Sequence, residues 1–453
     1  MEGQKIQKIL SELYKEFDIY PDDEQYKNYL TEKIIKAYGY EKKYNISEKE
    51  FLTKIKGEVP NFINQYKRLK SGIDNMSQSN DSSFGISISF QLIDLFDIAK
   101  MCNNNEEFQI QKQKYFNSLA SDKRFSGFDY VFPGLKEVNL EQIRNIENNI
   151  CNNVDCITPE WMGKMRAIID IEKLVYVDGD INDEIFNFDY LDKVANFARQ
   201  HNMKFRMHNI IWHKDFMPIF DNMSRDEILY FLNVYMNKIN SRYGDVMYAV
   251  DVLNEIASDT SDKILRDSKW KTKLGEDYYI DILKIAKKNF EDIPLFYNEY
   301  GEERTEKRKN ILSIVNKIKQ EEEKNGIILL DGLGIQSHYS NVTQDQDIKQ
   351  AYLDLTQTGK QLQITELDVS NDGTNKQFDY DSNRVFRTVL DCASTLGIKI
   401  MNMWGISSSI SWKKDKINTF LDSDGNISQY SSLIIKTYKK KIKEEIKTNS
   451  SRK

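Results

Sequence analysis

The chain has 453 residues, of which 40% are hydrophobic, 30% charged and 12% aromatic. That composition supports a sizeable core and argues against global disorder. Its 64 basic and 70 acidic side chains leave a formal net charge of −6, which excludes a global basic field for nucleic acid or anionic lipid. No uninterrupted apolar run is long enough to cross a bilayer, and the opening MEGQKIQKILSELYKEFDIY reaches acidic residues at once. No membrane partner and a cytoplasmic location are therefore expected.

Residues 1–75 read as a helical N-terminal extension. KIQKILSELYKEF and NYLTEKIIKAY carry apolar residues at helical spacing, and FLTKIKGEVPNFINQYKRLK continues the pattern across a proline. The segment holds no catalytic constellation. The soft stretch SGIDNMSQSNDSS then marks a domain boundary. From Phe84 the texture changes to short β-rich segments: FGISISF (84–90), NVDCITPE (153–160), KFRMHNIIWH (204–213), VMYAVDVLNE (246–255), IPLFYNE (293–299), LLDGLGIQSHY (329–339), LQITELDV (362–369) and IKIMNMWG (398–405).

Between them lie five amphipathic stretches: FDYLDKVANFARQHNM, SRDEILYFLNVYMNKINSRYG, DYYIDILKIAKKNF, EKRKNILSIVNKIKQEEEKNG and YDSNRVFRTVLDCASTLG. Ser224 and Glu227 stand at capping-box spacing. Most of the five run into Gly or Asn, as helix ends do. Eight strands with helices between most of them predict an α/β fold, a (β/α)8 TIM barrel over residues 84–436. No G-x-G-x-x-G turn supports the open doubly wound alternative. The gap from Phe90 to Asn153 is longer than one helix needs, so an insertion is expected around residues 100–145. Residues 437–453 read as a charged tail. The four cysteines, Cys102, Cys151, Cys156 and Cys392, form neither a disulfide framework nor a C-x-x-C zinc motif.

In such a barrel the residues just past each strand form the active-site mouth. Those places hold Glu160 and Lys164, then His208, Trp212 and His213, then Asn254 and Glu255. Asn298, Glu299 and Tyr300 follow, then Gln336 and His338, then Glu366 and Asp368, and finally Trp404 with Trp412. Three of the four histidines sit at strand ends. Carboxylates, amides, imidazoles and aromatics in one concave site suit carbohydrate, whose hydroxyls need polar partners and whose ring faces stack on Trp and Tyr. Glu255 and Glu366, on the fourth and seventh strands, form a pair able to cleave a glycosidic bond.

These residues carry a resemblance to glycoside hydrolase family 10, the endo-β-1,4-xylanases. DVLNE resembles its acid/base motif and ITELDV its nucleophile motif. HNIIWH, LFYNEYG, GLGIQSHYS and MWGISSSISW resemble four further family segments, all in the family's order, from about Cys151 to about Ile434. The resemblance implies a retaining double displacement on β-1,4-linked xylan or xylo-oligosaccharides, with Glu255 as general acid/base and Glu366 as nucleophile. In such enzymes the two carboxyls lie about 5–5.5 Å apart. It further implies that Asn254 bonds the 2-hydroxyl of the reacting sugar, that His338 bonds Glu366, and that Asp368 orients that imidazole. The charge on Glu366 would help keep Glu255 protonated. Substrate-binding roles follow for Glu160, Lys164, His208, Trp212, Tyr300, Gln336, Trp404 and Trp412. A monomer without cofactor or metal is expected.

The sequence also departs from the family pattern. TPEWMGKM keeps Glu160 and Lys164 but places Trp161 where the family has a sugar-contacting asparagine. Val250, Glu299 and Gly301 differ from the usual residues, and Ser408 or Ser409 replaces an aspartate. Two other readings stand beside hydrolysis: a carbohydrate-binding barrel that has lost turnover, and a hydrolase of a different β-glycan. A metal-dependent hydrolase using His208, His213 and Glu366 would need a ligand cluster that the sequence does not contain.

Overall fold

The structure is a computed structural model describing residues 83–88, 90–122, 133–173, 176–177, 180–371, 378–407, 410–411 and 417–437, together with 9, 11–13, 53, 55–56 and 59. Residues 1–78 cluster as one compact unit and 79–453 as another. The described positions of the first unit are helical, with Ile9, Leu13, Ile55 and Val59 buried.

In the second unit, among the described residues, eight strands run parallel in a closed ring. They are β1 (Ser83–Ile88), β2 (Cys156–Pro159), β3 (Lys204–Trp212), β4 (Met247–Asn254), β5 (Leu295–Glu299), β6 (Gly332–Ile335), β7 (Gln361–Ser370) and β8 (Ile400–Met403). Ring neighbours are sequence neighbours. Met401 of β8 closes the ring, standing opposite Ile364 of β7 on one side and Phe84 of β1 on the other. This is the (β/α)8 barrel that the alternation of segments predicts.

The outer layer comprises α1 (Phe90–Met101), α2 (Asn105–Leu119), α3 (Leu140–Asn153), α4 (Asp189–Gln200), α5 (Arg225–Tyr243), α6 (Tyr278–Asn289), α7 (Thr305–Asn325), α8 (Asp345–Thr356) and α9 (Phe378–Thr395). The five amphipathic stretches supply α4, α5, α6, α7 and α9. Ser224 and Glu227 close the expected capping box on α5. Gly326 ends α7 with φ +66°, a left-handed turn that glycine adopts without Cβ strain. The long stretch between β1 and β2 holds α1, α2 and α3 with a short helix, Pro133–Glu137. α1 packs on both α3 and α4. Asn139 and Gln142 cap α3 reciprocally, and that helix leads directly into β2.

One predicted strand is shorter than expected. The run LLDGLGIQSHY gives β6 and then breaks, because Ser337 takes φ +57°. His338–Ser340 resumes as a separate short strand paired with Asp368–Ser370 of β7. A left-handed residue cannot continue a pleat.

The barrel interior is polar. Arg206 of β3 forms a bidentate ion pair with Asp251 of β4 and also donates to Gln363 of β7. Asn402 of β8 donates to Thr158 of β2 at 2.7 Å. Space for this comes from a missing side chain: a Cβ on Gly85 would lie 2.1 Å from Asn402 Oδ1. Arg206 and Asp251 are at most 1% exposed. Neither charge could remain there unpaired.

Candidate active site

Two carboxylates from distant strands meet at the C-terminal mouth of this ring. Glu366 lies within β7, next to Thr365. In a regular strand consecutive side chains point to opposite faces. Here Thr365 Oγ1 donates to Asn298 Oδ1 at 2.6 Å, while Glu366 Oε1 accepts from Asn298 Nδ2 at 2.7 Å. The pairing of β7 with β8 slips between Ile364 and Leu367. That irregularity re-aims Glu366 into the mouth.

Glu255 is the first residue past β4 and takes φ +57°, a conformation that costs a non-glycine residue on the order of 1 kcal/mol or more. Its backbone N–H donates to Asn298 O at 3.0 Å. The turn leaves Asn254 and Glu255 both facing Gln336, whose Nε2 lies 3.4 Å from Asn254 Oδ1 and 3.2 Å from Glu255 Oε1. Asn298 Nδ2 also donates to Asn254 Oδ1 at 3.0 Å. The amides of Asn254, Asn298 and Gln336 therefore connect Glu255 to Glu366 by a continuous hydrogen-bonded path.

The electrostatics separate the two acids. Burial acts to raise the pKa of Glu366, but the imidazoles of His208 and His338 and the Lys164 ammonium overcome it and hold the group below its usual range. His338 stands between two carboxylates, with Nε2 at 3.2 Å from Glu366 Oε2 and Nδ1 at 2.9 Å from Asp368 Oδ2. Burial opposes its charge; Asp368 and Glu366 outweigh that and raise it to about 10. His338 is thus an imidazolium near neutral pH. His213 is the reverse case. Burial lowers it to about 4 despite Glu255, whose Oε2 is 3.6 Å from Nδ1, so that ring is neutral. Such an arrangement offers one carboxylate held ionised and a second carboxyl at the rim, the division of labour that acid-assisted nucleophilic displacement requires.

Most of the sequence-predicted residues gather here. Lys164 is buried, sits 4.7 Å from the Trp212 ring centroid, and feels the charges of both Glu366 and Glu255. Burial lowers its pKa against those charges. Glu160 accepts from Ser87 Oγ at 3.0 Å, and burial pushes it up to about 7. His208 is fixed through Nδ1, 2.9 Å from Asp251 Oδ2, with Nε2 3.9 Å from Glu366 Oε1. Trp404 stands edge-on to His208 and His338, its ring centroid 5.4 and 6.4 Å from theirs. Tyr300 is engaged elsewhere: its hydroxyl donates to Asp259 at 2.8 Å and accepts from Arg266 at 2.8 Å. Trp412 lies outside the described residues.

Other members of the site carry no role in the sequence reading. Asn298 was visible as a strand-end amide, yet its grip on Glu366 depends on the slip in β7, which leaves no mark in residue type. Arg206 and Asp251 read as strand interior, and only the ring brings them under His208. Among the described residues no group of three or more His, Cys, Asp or Glu is placed to hold a metal ion, and no helix is long and apolar enough to cross a membrane.

A closed parallel barrel with two carboxylates at its mouth is an arrangement that glycoside hydrolysis can use. Comparison with known proteins narrows it. Residues 122–441 match the profile of glycosyl hydrolase family 10, and the chain belongs to that family of xylanase-like glycoside hydrolases. It is 28% identical over 253 residues to endo-1,4-β-xylanase A of Caldicellulosiruptor saccharolyticus, covering 50% of this chain and 71% of the relative. It is 31% identical over 192 residues to endo-1,4-β-xylanase B of Paenibacillus barcinonensis, covering 41% and 56%. Across such relatives the aligned part spans from 18% to 71% of their own length. In fold the chain is similar to xylanase 10B of Thermotoga petrophila, solved with xylobiose, at a TM-score of 0.58 and 18% identity over 81% of this chain and 97% of that one.

Proposed function

We propose that the protein is a retaining, endo-acting glycoside hydrolase that cleaves β-1,4-linked xylan or xylo-oligosaccharides by double displacement. Glu366 attacks the anomeric carbon while Glu255 gives its proton to the departing glycosidic oxygen. The covalent glycosyl-enzyme then reacts with water, whose proton returns to Glu255, and Glu366 leaves as a carboxylate. Asn254 meets the 2-hydroxyl of the reacting sugar. Gln336, Lys164, His208 and Glu160 hold the glycone, with Trp404 beside it.

The observation that carries this reading is the amide path joining Glu255 to Glu366, together with the imidazolium of His338 on the nucleophile. His338 and Asn298 favour the ionised Glu366 that attack requires. The relatives named above, endo-1,4-β-xylanases by name, supply the substrate class.

An aryl β-xylobioside tests the reading. Wild-type protein is expected to release the aryl alcohol and the β-anomer of xylobiose. Glu366→Gln should lower kcat/KM by roughly 10⁴-fold or more. Glu255→Gln should cost roughly 10²- to 10⁴-fold on a poor leaving group and less on an acidic phenol that departs unprotonated. Turnover surviving both substitutions, or an α-anomeric product, would overturn it.

A further inference from the structure

The rim formed by the loops after β2 and β3 has a feature that reaches beyond the residues assigned to the proposed reaction. Neutral pyranose rings stack their C–H faces on bare aromatic faces. Here the aromatic faces already carry cations. The Trp212 indole has Lys164 Nζ at 4.7 Å and Lys214 Nζ at 5.0 Å from its centroid. The Trp161 indole has the Arg166 guanidinium at 5.7 Å.

The anions nearby are already committed. Arg166 Nε binds Asp215 Oδ1 at 2.7 Å, with Asp215 only 2% exposed, and Arg166 Nη2 donates to Lys214 O at 2.6 Å. Lys164 lies in the field of Glu366 and Glu255. Glu160 is bonded to Ser87. Lys214 is exposed, and among the described residues its ammonium has no carboxylate partner. Lys214 thus presents an exposed ammonium over the Trp212 indole.

We infer that this rim is a subsite for a carboxylate-bearing sugar on the glycone side, recognised by Lys214 over the Trp212 indole. The carboxylate takes a charge-assisted hydrogen bond from Lys214, with the aromatic face backing the cation. Trp161 braces Arg166, and Arg166 with Asp215 fixes the loop that presents Lys214. The inference rests on the glycosidase reading for its placement on the glycone side.

The test uses two aryl β-xylobiosides, one plain and one carrying glucuronic acid on the non-reducing xylose. With the aryl group as aglycone, the acid can only meet the glycone side. Wild-type protein should favour the acidic substrate in kcat/KM by roughly threefold to tenfold, and the preference should shrink as salt is raised. Lys214→Met keeps the aliphatic stem and should bring the ratio of the two substrates to about one, whereas Lys324→Met on an exposed helix should leave it where it was. Equal rates in the wild type, or an unchanged ratio in Lys214→Met, would overturn the proposal, as would a loss falling equally on both substrates. If neither glycoside turns over, the glycosidase reading fails. Calorimetric binding of the matching acidic and neutral free oligosaccharides then decides the subsite by the same ratio.

Discussion

The site has two regions of different construction. At the ends of β4 and β7, carboxylates, amides and imidazoles from separate strands satisfy one another: Glu366 with Asn298 and His338, His338 with Asp368, Glu255 with Gln336. At the ends of β2 and β3 the partners come from two adjacent loops, as cations laid on indoles. The first region matches the family motifs almost residue for residue, and the second contains TPEWMGKM, the clearest departure. Removing one group from the first leaves a buried charge or amide unpaired. The second has exposed members that can change at little cost to the fold. On the proposed reading, reaction type belongs to the first region and selectivity to the second.

The largest effect that would sharpen this contrast lies at His338. Replacing it with Gln keeps a donor beside Glu366 but removes the positive charge. We expect kcat/KM on an aryl xylobioside to fall by roughly 10²- to 10³-fold. Stability should change its pH dependence as well. His338 is raised from its ordinary 6.5 to about 10, so the fold gains from its proton fully below 6.5 and loses that gain as pH rises through 10. Urea unfolding from pH 8 to pH 11 should show the wild type losing more stability than His338→Gln. Parallel curves would remove the imidazolium from the account of the site.

The same contrast governs what could be read in the sequence. The ring of strands was legible because most strands are short apolar runs with polar residues at or near their C-terminal ends, and Glu255, Glu366 and His338 stand among those residues. The slip in β7 was not, because nothing in LQITELDV distinguishes a bulged strand from a regular one, and Asn298 takes its meaning from that slip. Positive φ at Glu255 and Ser337 was hidden too, since neither residue type signals it as Gly or Asn would. Arg166 and Asp215 are 49 positions apart and meet only because two strands are adjacent. Tyr300 sits where a strand-end aromatic should face substrate, but Asp259 and Arg266 claim its hydroxyl.

A smaller effect tests whether the rim is rigid. Asp215 is nearly buried, and burial raises its pKa even with Arg166 beside it. Arg166→Met would leave that carboxylate without its counter-ion, at a cost of about 2–4 kcal/mol when it stays ionised. The loss should be larger at pH 8 than at pH 5, where Asp215 can take up a proton. Adding Asp215→Asn should recover part of it. Unfolding that ignores Arg166→Met would mark the rim as loosely held and separate it further from the centre.

Glu160 should give the smallest effect, and it lies where the two regions join. Burial first, with Glu366 adding to it, pushes this carboxyl from 4.5 to about 7, against Ser87 and Lys164. The folded state therefore holds the proton more tightly than the unfolded chain, and the associated stability is present below pH 4.5 and lost as pH rises through 7. Glu160→Gln is neutral at every pH and should retain more stability than the wild type at pH 8, by about 1–2 kcal/mol. If Glu160 touches the glycone, KM for the aryl xylobioside should change by roughly twofold to threefold between pH 6 and 8 in the wild type and stay flat in Glu160→Gln. A wild-type KM that ignores this interval would place Glu160 with the barrel framework rather than with the sugar. The boundary between reaction and selectivity would then lie at Lys164.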